Sequence, residues 1–219
     1  MKHALSGVGM TSRRTRARMI DRLRDQGIRS EAVLSAMSAI PRHIFVDEAL
    51  ASRAYEDTAL PLGFAQTISQ PYIVARMIEV LLGSRASLGK TLEVGTGCGY
   101  QAAVLGTLTP SVYSVERIAP LLTKARQHLR QIPELLVRLK HADGGIGLPE
   151  AAPFDSIIVA AAARQVPPEL LQQLASGGHL VLPIGGREQY LCHVEKTPEG
   201  FSETRLEMVR FVPLVAGIE

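Results

Sequence analysis

The chain has no tryptophan, and aromatic residues of every kind make up only 5% of it. A surface that stacks successive bases needs aromatics interleaved with cations, and that composition argues against one. Cysteine is nearly as scarce: Cys98 and Cys192 are the only two in 219 residues. They supply no disulfide framework and no metal-type spacing, so a reducing cytoplasm and no metal site are expected. No apolar run approaches the roughly 20 residues that cross a bilayer, so no membrane span is expected. The opening "MKHALSGVGM" has neither a long apolar core nor a cleavage site, so no secretory leader is expected. Net charge is small, +3 from 24 basic and 21 acidic residues, too mild to imply nucleic acid without a local cluster.

One cluster exists, "RRTRAR" at Arg13 to Arg18. Met19, Ile20 and Leu23 follow it at helical spacing, between Thr11 or Ser12 as a cap and Gly27 as a stop. The run reads as the solvated face of an amphipathic helix, with a nucleic-acid or acidic-surface contact as the alternative. With 46% hydrophobic and 21% charged residues, the composition is that of an ordinary globular protein. The length suits a single domain across 1–219, with a helical elaboration over about 1–65 and a sheet core over about 66–219.

"SEAVLSAMSAI" puts Val33, Leu34, Met37 and Ile40 on one helical face, behind Ser30 as N-cap and ahead of Pro41. Residues 41–67 keep no period and read as an elaborate connection. "SQPYIVARMIEVLLG" is again helical, with Pro71 in the first turn and Gly83 past the end. From about residue 91 short apolar runs alternate with helical stretches. "TLEV", "VYSV", "LLVRL", "DSIIVAA" and "GHLVLPI" read as strands, with helices near 99–108, 119–131 and 167–175. That alternation predicts an α/β, three-layer Rossmann-like fold: a mostly parallel sheet between helices, with extra N-terminal helices. "YLCHVEK" and "ETRLEMVRFVPL" follow without a helix between them and read as an antiparallel C-terminal hairpin closing one edge.

The stretch "TLEVGTGCGYQ" ends a strand on Gly95, Thr96, Gly97, Cys98 and Gly99. In such a sheet ligands bind at the carboxyl ends of the strands, and the first strand-to-helix loop is the natural place. The dinucleotide pattern G-x-G-x-x-G requires glycine where this chain has Tyr100, and no Gly-Lys-Ser/Thr closes a phosphate loop. Close backbone approach without a long phosphate cradle suits the amino-acid end of a nucleoside ligand such as S-adenosylmethionine; a structural tight turn is the alternative. Glu116, 17 positions after Gly99 at the end of the second strand of this series, is placed to accept both hydroxyls of a ribose. Its alternative is a surface pair with Arg117 or Lys124. Asp143 in "HADGGIGL" is positioned to meet an adenine amino group, or simply forms an Asp-Gly turn. Glu93 lies in an apolar strand where a carboxylate needs a reason, and is read as facing the sulfonium or amino end of the ligand. Arg117 and Gly144, beside Glu116 and Asp143, join the expected cofactor set. Cys98 is read as a small loop residue rather than a nucleophile.

The order "LEVGTGCGYQ", "VYSVERI", "HADGGIGL", "PFDSIIVAAA", "LLQQLASGGHLVLPIG" resembles the motif series of class I S-adenosylmethionine-dependent methyltransferases. "AQTISQPYIVARMIEVL", with "IPRHIFVDEALASRAYEDTALPLG" before it and "VRFVPLV" at the end, is similar to the protein-L-isoaspartate O-methyltransferase family. The resemblance runs from about residue 12 to the end, and "TISQP" is its most specific part. It implies that Ser69 is the active-site hydroxyl and that Thr67 and Ile68 line the cleft. Some family members carry histidine where this chain has Tyr72, so no imidazole role transfers. Ser69 also stands where an N-cap belongs, and the two roles are compatible. "FVPL" at 211–214 suggests that Val212, Pro213 and Leu214 pair with an extended substrate peptide along a sheet edge, or else plug the core.

The resemblance implies methyl transfer from S-adenosylmethionine, leaving S-adenosylhomocysteine, to the free α-carboxylate of L-isoaspartyl residues in damaged proteins and peptides. A cytoplasmic monomer that uses no metal, nucleic acid or membrane is expected. Two alternatives stand beside it: a class I methyltransferase acting on RNA or a small molecule, and a nucleoside-binding module without turnover.

Overall fold

The computed structural model describes residues 7–219. Residues 1–6, on which part of the expectation of no secretory leader rests, lie outside that range. Among the described residues no helix is long and apolar enough to cross a membrane.

Two helices lead, α1 (Arg13–Asp25) and α2 (Glu31–Ala39). Each begins at an expected cap: Ser12 Oγ accepts from Thr15 N and Ser30 Oγ from Val33 N, both at 3.4 Å. These bonds occupy N–H groups that a helix start otherwise leaves open. Met19, Ile20 and Leu23 of α1 and Val33, Leu34 and Met37 of α2 are buried, as their spacing predicts. The arginine run corrects one expectation. Arg13, Arg14 and Arg18 are exposed, but Arg16 is buried, and its guanidinium donates to the carbonyls of Ser38 and Ala39 at 2.9 and 3.1 Å. A cation at the carboxyl end of α2 satisfies orphan carbonyls and opposes the negative end of the helix dipole.

Residues 41–67, expected to be irregular, contain 3-10 segments at Arg42–Phe45 and Glu48–Arg53 and then a hairpin of β1 (Leu60–Gly63) and β2 (Gln66–Ile68). Gly63 faces Gln66 across the hairpin, so Phe64 and Ala65 form the turn, at φ +54° and +53°. Two-residue turns of this kind normally announce themselves as Asn-Gly or Asp-Gly. Phe-Ala carries no such signal, and the hairpin was therefore illegible. Helix α3 (Pro71–Leu82) follows and ends on Gly83 at φ +53°.

The main sheet holds β3 (Thr91–Val94), β4 (Val112–Glu116), β5 (Val137–His141), β6 (Phe154–Val159), β7 (Leu174–Gly185), β8 (Gln189–Thr197) and β9 (Gly200–Val209), in the order β5-β4-β3-β6-β7-β8-β9. The pairs from β5 to β7 are parallel, and β7–β8 and β8–β9 are antiparallel. Helices α4 (Tyr100–Leu108), α5 (Ala119–Leu129) and α6 (Pro168–Gln172) connect them. Successive strand residues feed opposite faces: Ile158 and Val181 join one core with α1 to α4, while Ile157 and Leu180 join a second core that includes Leu170 of α6. The predicted layered α/β architecture with its antiparallel end is what the chain adopts.

Several boundaries differ from expectation. β5 begins two residues later than the apolar run "LLVRL", because Leu136 is left 62% exposed. α6 stops at Gln172, because β7 begins at Leu174. β9 ends at Val209, so residues 211–214 leave the sheet instead of extending it. After β3 the chain winds outward to β4 and β5, then returns to β6 on the other side of β3. The carboxyl edge between β3 and β6 is therefore the switch point of the sheet, where a crevice opens.

Candidate active site

A cleft opens at that edge, walled by Gly95 and Thr96 after β3, Glu116 at the end of β4 and Ala160 after β6. Its other wall is Thr67, Ile68 and Ser69 with Val212 to Leu214. The glycine loop is bent so that Gly95, Gly97 and Gly99 sit at φ +94°, +54° and +90°. Side chains at three such positions in five residues would be strained, which explains the glycines independently of any motif. Gly144 is required for a different reason. Its φ is ordinary, but a Cβ there would lie 2.3 Å from Val94 Cγ1, so the segment after β5 packs directly on the end of β3.

Glu116 is 6% exposed and both its oxygens are held by backbone: Gly97 N donates to Oε2 at 2.9 Å and Ile118 N to Oε1 at 3.0 Å. The surface-pair alternative fails, because Arg117 pairs with Glu219 at 3.1 Å and Lys124 with Asp47 at 3.6 Å. Each carboxylate oxygen accepts about two bonds, so one position remains on each for a ligand. Two acceptors fixed side by side at the cleft wall match a cis-diol. That arrangement, with the open glycine loop, fits the ribose and amino-acid ends of S-adenosylmethionine.

Glu93 does not reach the cleft wall. It is fully buried, with Oε2 bonded to the Ser114 hydroxyl, which lies 2.6 Å from Thr96 Oγ1. Burial pushes its carboxyl up to about 8, against the pull of the Ser114 hydroxyl, while nearby Glu116 adds a like-charge push. The neutral acid is thus the favoured form at neutral pH. Glu93 supports the loop from below, through Ser114 and Thr96.

Gly99 and Asp143 also stand off the cleft. Gly99 is the left-handed residue that starts α4. The Asp143 carboxylate is engaged locally: Oδ1 accepts from Gly145 N at 2.8 Å and Oδ2 from Gly217 N. Of its two readings the turn is the one these bonds describe, with the added effect of fastening the C-terminal tail. Arg117 borders the cleft, but its guanidinium donates to Gly217 O and Glu219, holding the same tail. Gln101, in the first turn of α4, lines the cleft and escaped notice. Its Nε2 is buried without a hydrogen bond among the described residues. A polar residue in the otherwise apolar run "YQAAVL" was the available signal.

Ser69 lies between β2 and α3. The N-cap of α3 is Gln70, which makes no side-chain cap bond, so the capping role considered for Ser69 is not the one it has. The hydroxyl of Ser69 makes no hydrogen bond among the described residues, and the residue lines the cleft. Further along that wall, Ala162 N donates to Val212 O and Leu214 N donates to Ala162 O, both at 2.8 Å. The 212–214 segment therefore uses one of its edges to bond the loop after β6, rather than extending β9.

Residues 14–219 match the family described as Protein-L-isoaspartate(D-aspartate) O-methyltransferase (PCMT). The chain belongs to that family. A protein-L-isoaspartate O-methyltransferase of Dechloromonas aromatica is 70% identical over 215 residues, 98% of this chain and 100% of that protein. Its counterpart in Methylobacillus flagellatus is 62% identical over 218 residues, 98% of this chain and 97% of that protein. Among solved structures, a protein-L-isoaspartate O-methyltransferase superposes with a TM-score of 0.83 at 27% identity, covering 93% of this chain and 67% of its own. A Plasmodium falciparum enzyme of this family, in complex with S-adenosyl-L-homocysteine, gives a TM-score of 0.79 at 26% identity, covering 91% and 98%.

Proposed function

We infer that this chain is a protein-repair methyltransferase, acting as a single domain that methylates the free α-carboxylate of L-isoaspartyl residues. The observation that carries the reading is the pairing of two features across one cleft: the backbone-held Glu116 carboxylate and the unengaged Ser69 hydroxyl. S-adenosylmethionine, when bound, supplies an activated methyl group on a positively charged sulfur with a neutral leaving group. The acceptor, a carboxylate with a pKa of about 4, is already ionised at neutral pH and needs no general base. What remains for the protein is holding, orienting and drying the reactants.

Ser69 orients the acceptor. A neutral hydroxyl directs a carboxylate oxygen with one hydrogen bond, whereas a lysine or arginine bonded to it would hold it and also quench it. Thr67 and Ile68 border the approach. Glu116 holds the ribose, with Gly95, Thr96 and Gly97 lining the amino-acid end, and Arg117, Asp143 and Gly144 keep the adenine end shaped. Glu93 and Gly99 act at one remove, by supporting the loop. Val212, Pro213 and Leu214 flank the acceptor peptide, which lies extended against their outer edge. The protein works as a cytoplasmic monomer on proteins and peptides, without membrane or nucleic acid.

The deciding assay offers tritiated S-adenosylmethionine with an isoaspartyl peptide, its aspartyl twin and bulk tRNA. Base-labile label on the isoaspartyl peptide alone is expected. Label on tRNA would shift the assignment to RNA, and binding of the donor with no transfer at all would make the chain a nucleoside-binding module.

A second expectation concerns what the reaction does not use. Cys98 is packed into the main core, and burial pushes its thiol up to about 11, so it is no nucleophile at neutral pH. Activity should survive EDTA, and Cys98→Ser should keep most of it. Loss to the chelator with recovery on adding a divalent ion would mean that alignment is not the whole mechanism.

A further inference from the structure

Arg42 is fully buried, yet no carboxylate lies within ion-pair distance of it among the described residues. Burying an uncompensated guanidinium is costly, and it persists only where its bonds are needed. Those bonds are specific. Nε donates to Ala54 O and Nη2 to Ser69 O, each at 2.8 Å, and the guanidinium carbon sits 4.8 Å from the centre of the Tyr100 ring. Nη1 has no hydrogen-bond partner among the described residues. The planar fork thus ties the turn at Ala54 to the carbonyl of the proposed catalytic serine, and a face of the ring in α4 backs it.

The same segment holds the corner a second time. Asp57 Oδ1 accepts from Tyr72 N at 2.9 Å, while its Oδ2 accepts from Gln26 Nε2 at 2.8 Å. Tyr72 N is one of the open N–H groups in the first turn of α3, the kind of group that a capping side chain usually takes. Asp57 does from a distance what Ser69 would do locally. With the Ser69 carbonyl held by Arg42 and a first-turn amide held by Asp57, the Ser69 hydroxyl has no structural duty.

We propose that Arg42 and Asp57 form a brace that positions Ser69 and frees its hydroxyl for the acceptor carboxylate. Both are positioning residues: they touch the serine's own carbonyl and the amide of Tyr72, three residues on, rather than the reactants. The inference rests on the reading of Ser69 given above, and a double-mutant cycle separates the two. Arg42→Gln, Asp57→Ala and Ser69→Ala are made singly, and each brace variant is also combined with Ser69→Ala. Turnover of an isoaspartyl peptide, affinity for S-adenosylhomocysteine by calorimetry and thermal melts are measured on each. Either brace variant should lower kcat/KM about tenfold, with cofactor affinity changed less than about threefold, and should add almost nothing once Ser69 is alanine. Losses that multiply with Ser69→Ala, or unchanged kcat/KM in a folded brace variant, overturn the brace and leave the serine's role standing. A silent Ser69→Ala overturns both. If Arg42→Gln does not fold, Asp57→Ala carries the same test, because it leaves the buried cation and its two carbonyl bonds in place.

Discussion

Replacing Glu116 by alanine is expected to weaken S-adenosylmethionine binding by about 2–3 kcal/mol, the worth of charge-assisted bonds to a diol. That corresponds to roughly a 30- to 150-fold rise in Kd. The structure adds a complication, because Glu116 also anchors Gly97 N and Ile118 N, and alanine would orphan both. Glutamine reduces it, since it orphans one of the two amides instead of both. Glu116→Gln keeps one oxygen for the backbone but turns the other acceptor into a donor, so it should lose cofactor affinity with a smaller change in melting temperature. Calorimetry with S-adenosylhomocysteine, alongside melts, reads both effects. A folded Glu116→Gln protein with unchanged affinity would remove this carboxylate from the ribose. NAD should not compete in either protein, because three separated glycines with Tyr100 closing the loop give no pyrophosphate seat.

The features that could be read in the sequence share one property: their signal is local. β3, β4, β6 and β7 stand out as short apolar runs because both faces of each are buried, and Ser12 and Ser30 cap the helices that they immediately precede. Glu116 was legible because its distance from the glycine loop is set by one helix and one strand. What stayed hidden depends on partners far along the chain. Arg16 looked like part of a solvated run, but the carbonyls that bury it belong to residues 38 and 39. Asp143 reads in the sequence as a ligand contact or a turn residue, and nothing local announces that the amide of Gly217, 74 residues away, bonds its carboxylate. Phe64 and Ala65 adopt left-handed turn dihedrals that no composition rule assigns to them. Ser69 is the sharpest case. "SQP" before a helix is a cap by every local rule, and only the long-range bonds of Arg42 and Asp57 show why the serine does not cap.

That displacement fixes what substitutions at Ser69 should do. A capping serine replaced by alanine costs about 0.5–2 kcal/mol of stability and leaves turnover alone. Here the hydroxyl bonds nothing among the described residues, so Ser69→Ala should barely move the melting temperature. If it orients the acceptor, kcat/KM for an isoaspartyl peptide should fall about tenfold or more, with little change in cofactor affinity. Aspartate separates the readings further. It is a good cap, so on the capping account Ser69→Asp restores whatever alanine loses. On the orienting account it places a negative charge against a negative acceptor in a cleft with little water to screen it, and the variant should be slower than alanine. Repulsion raises the pKa of the introduced aspartate, so lowering the pH to the upper edge of the carboxylate range, where the acceptor is still ionised, should recover part of the Ser69→Asp loss and none of the Ser69→Ala loss. An aspartate variant as stable and as active as the parent would leave Ser69 without a part in the reaction.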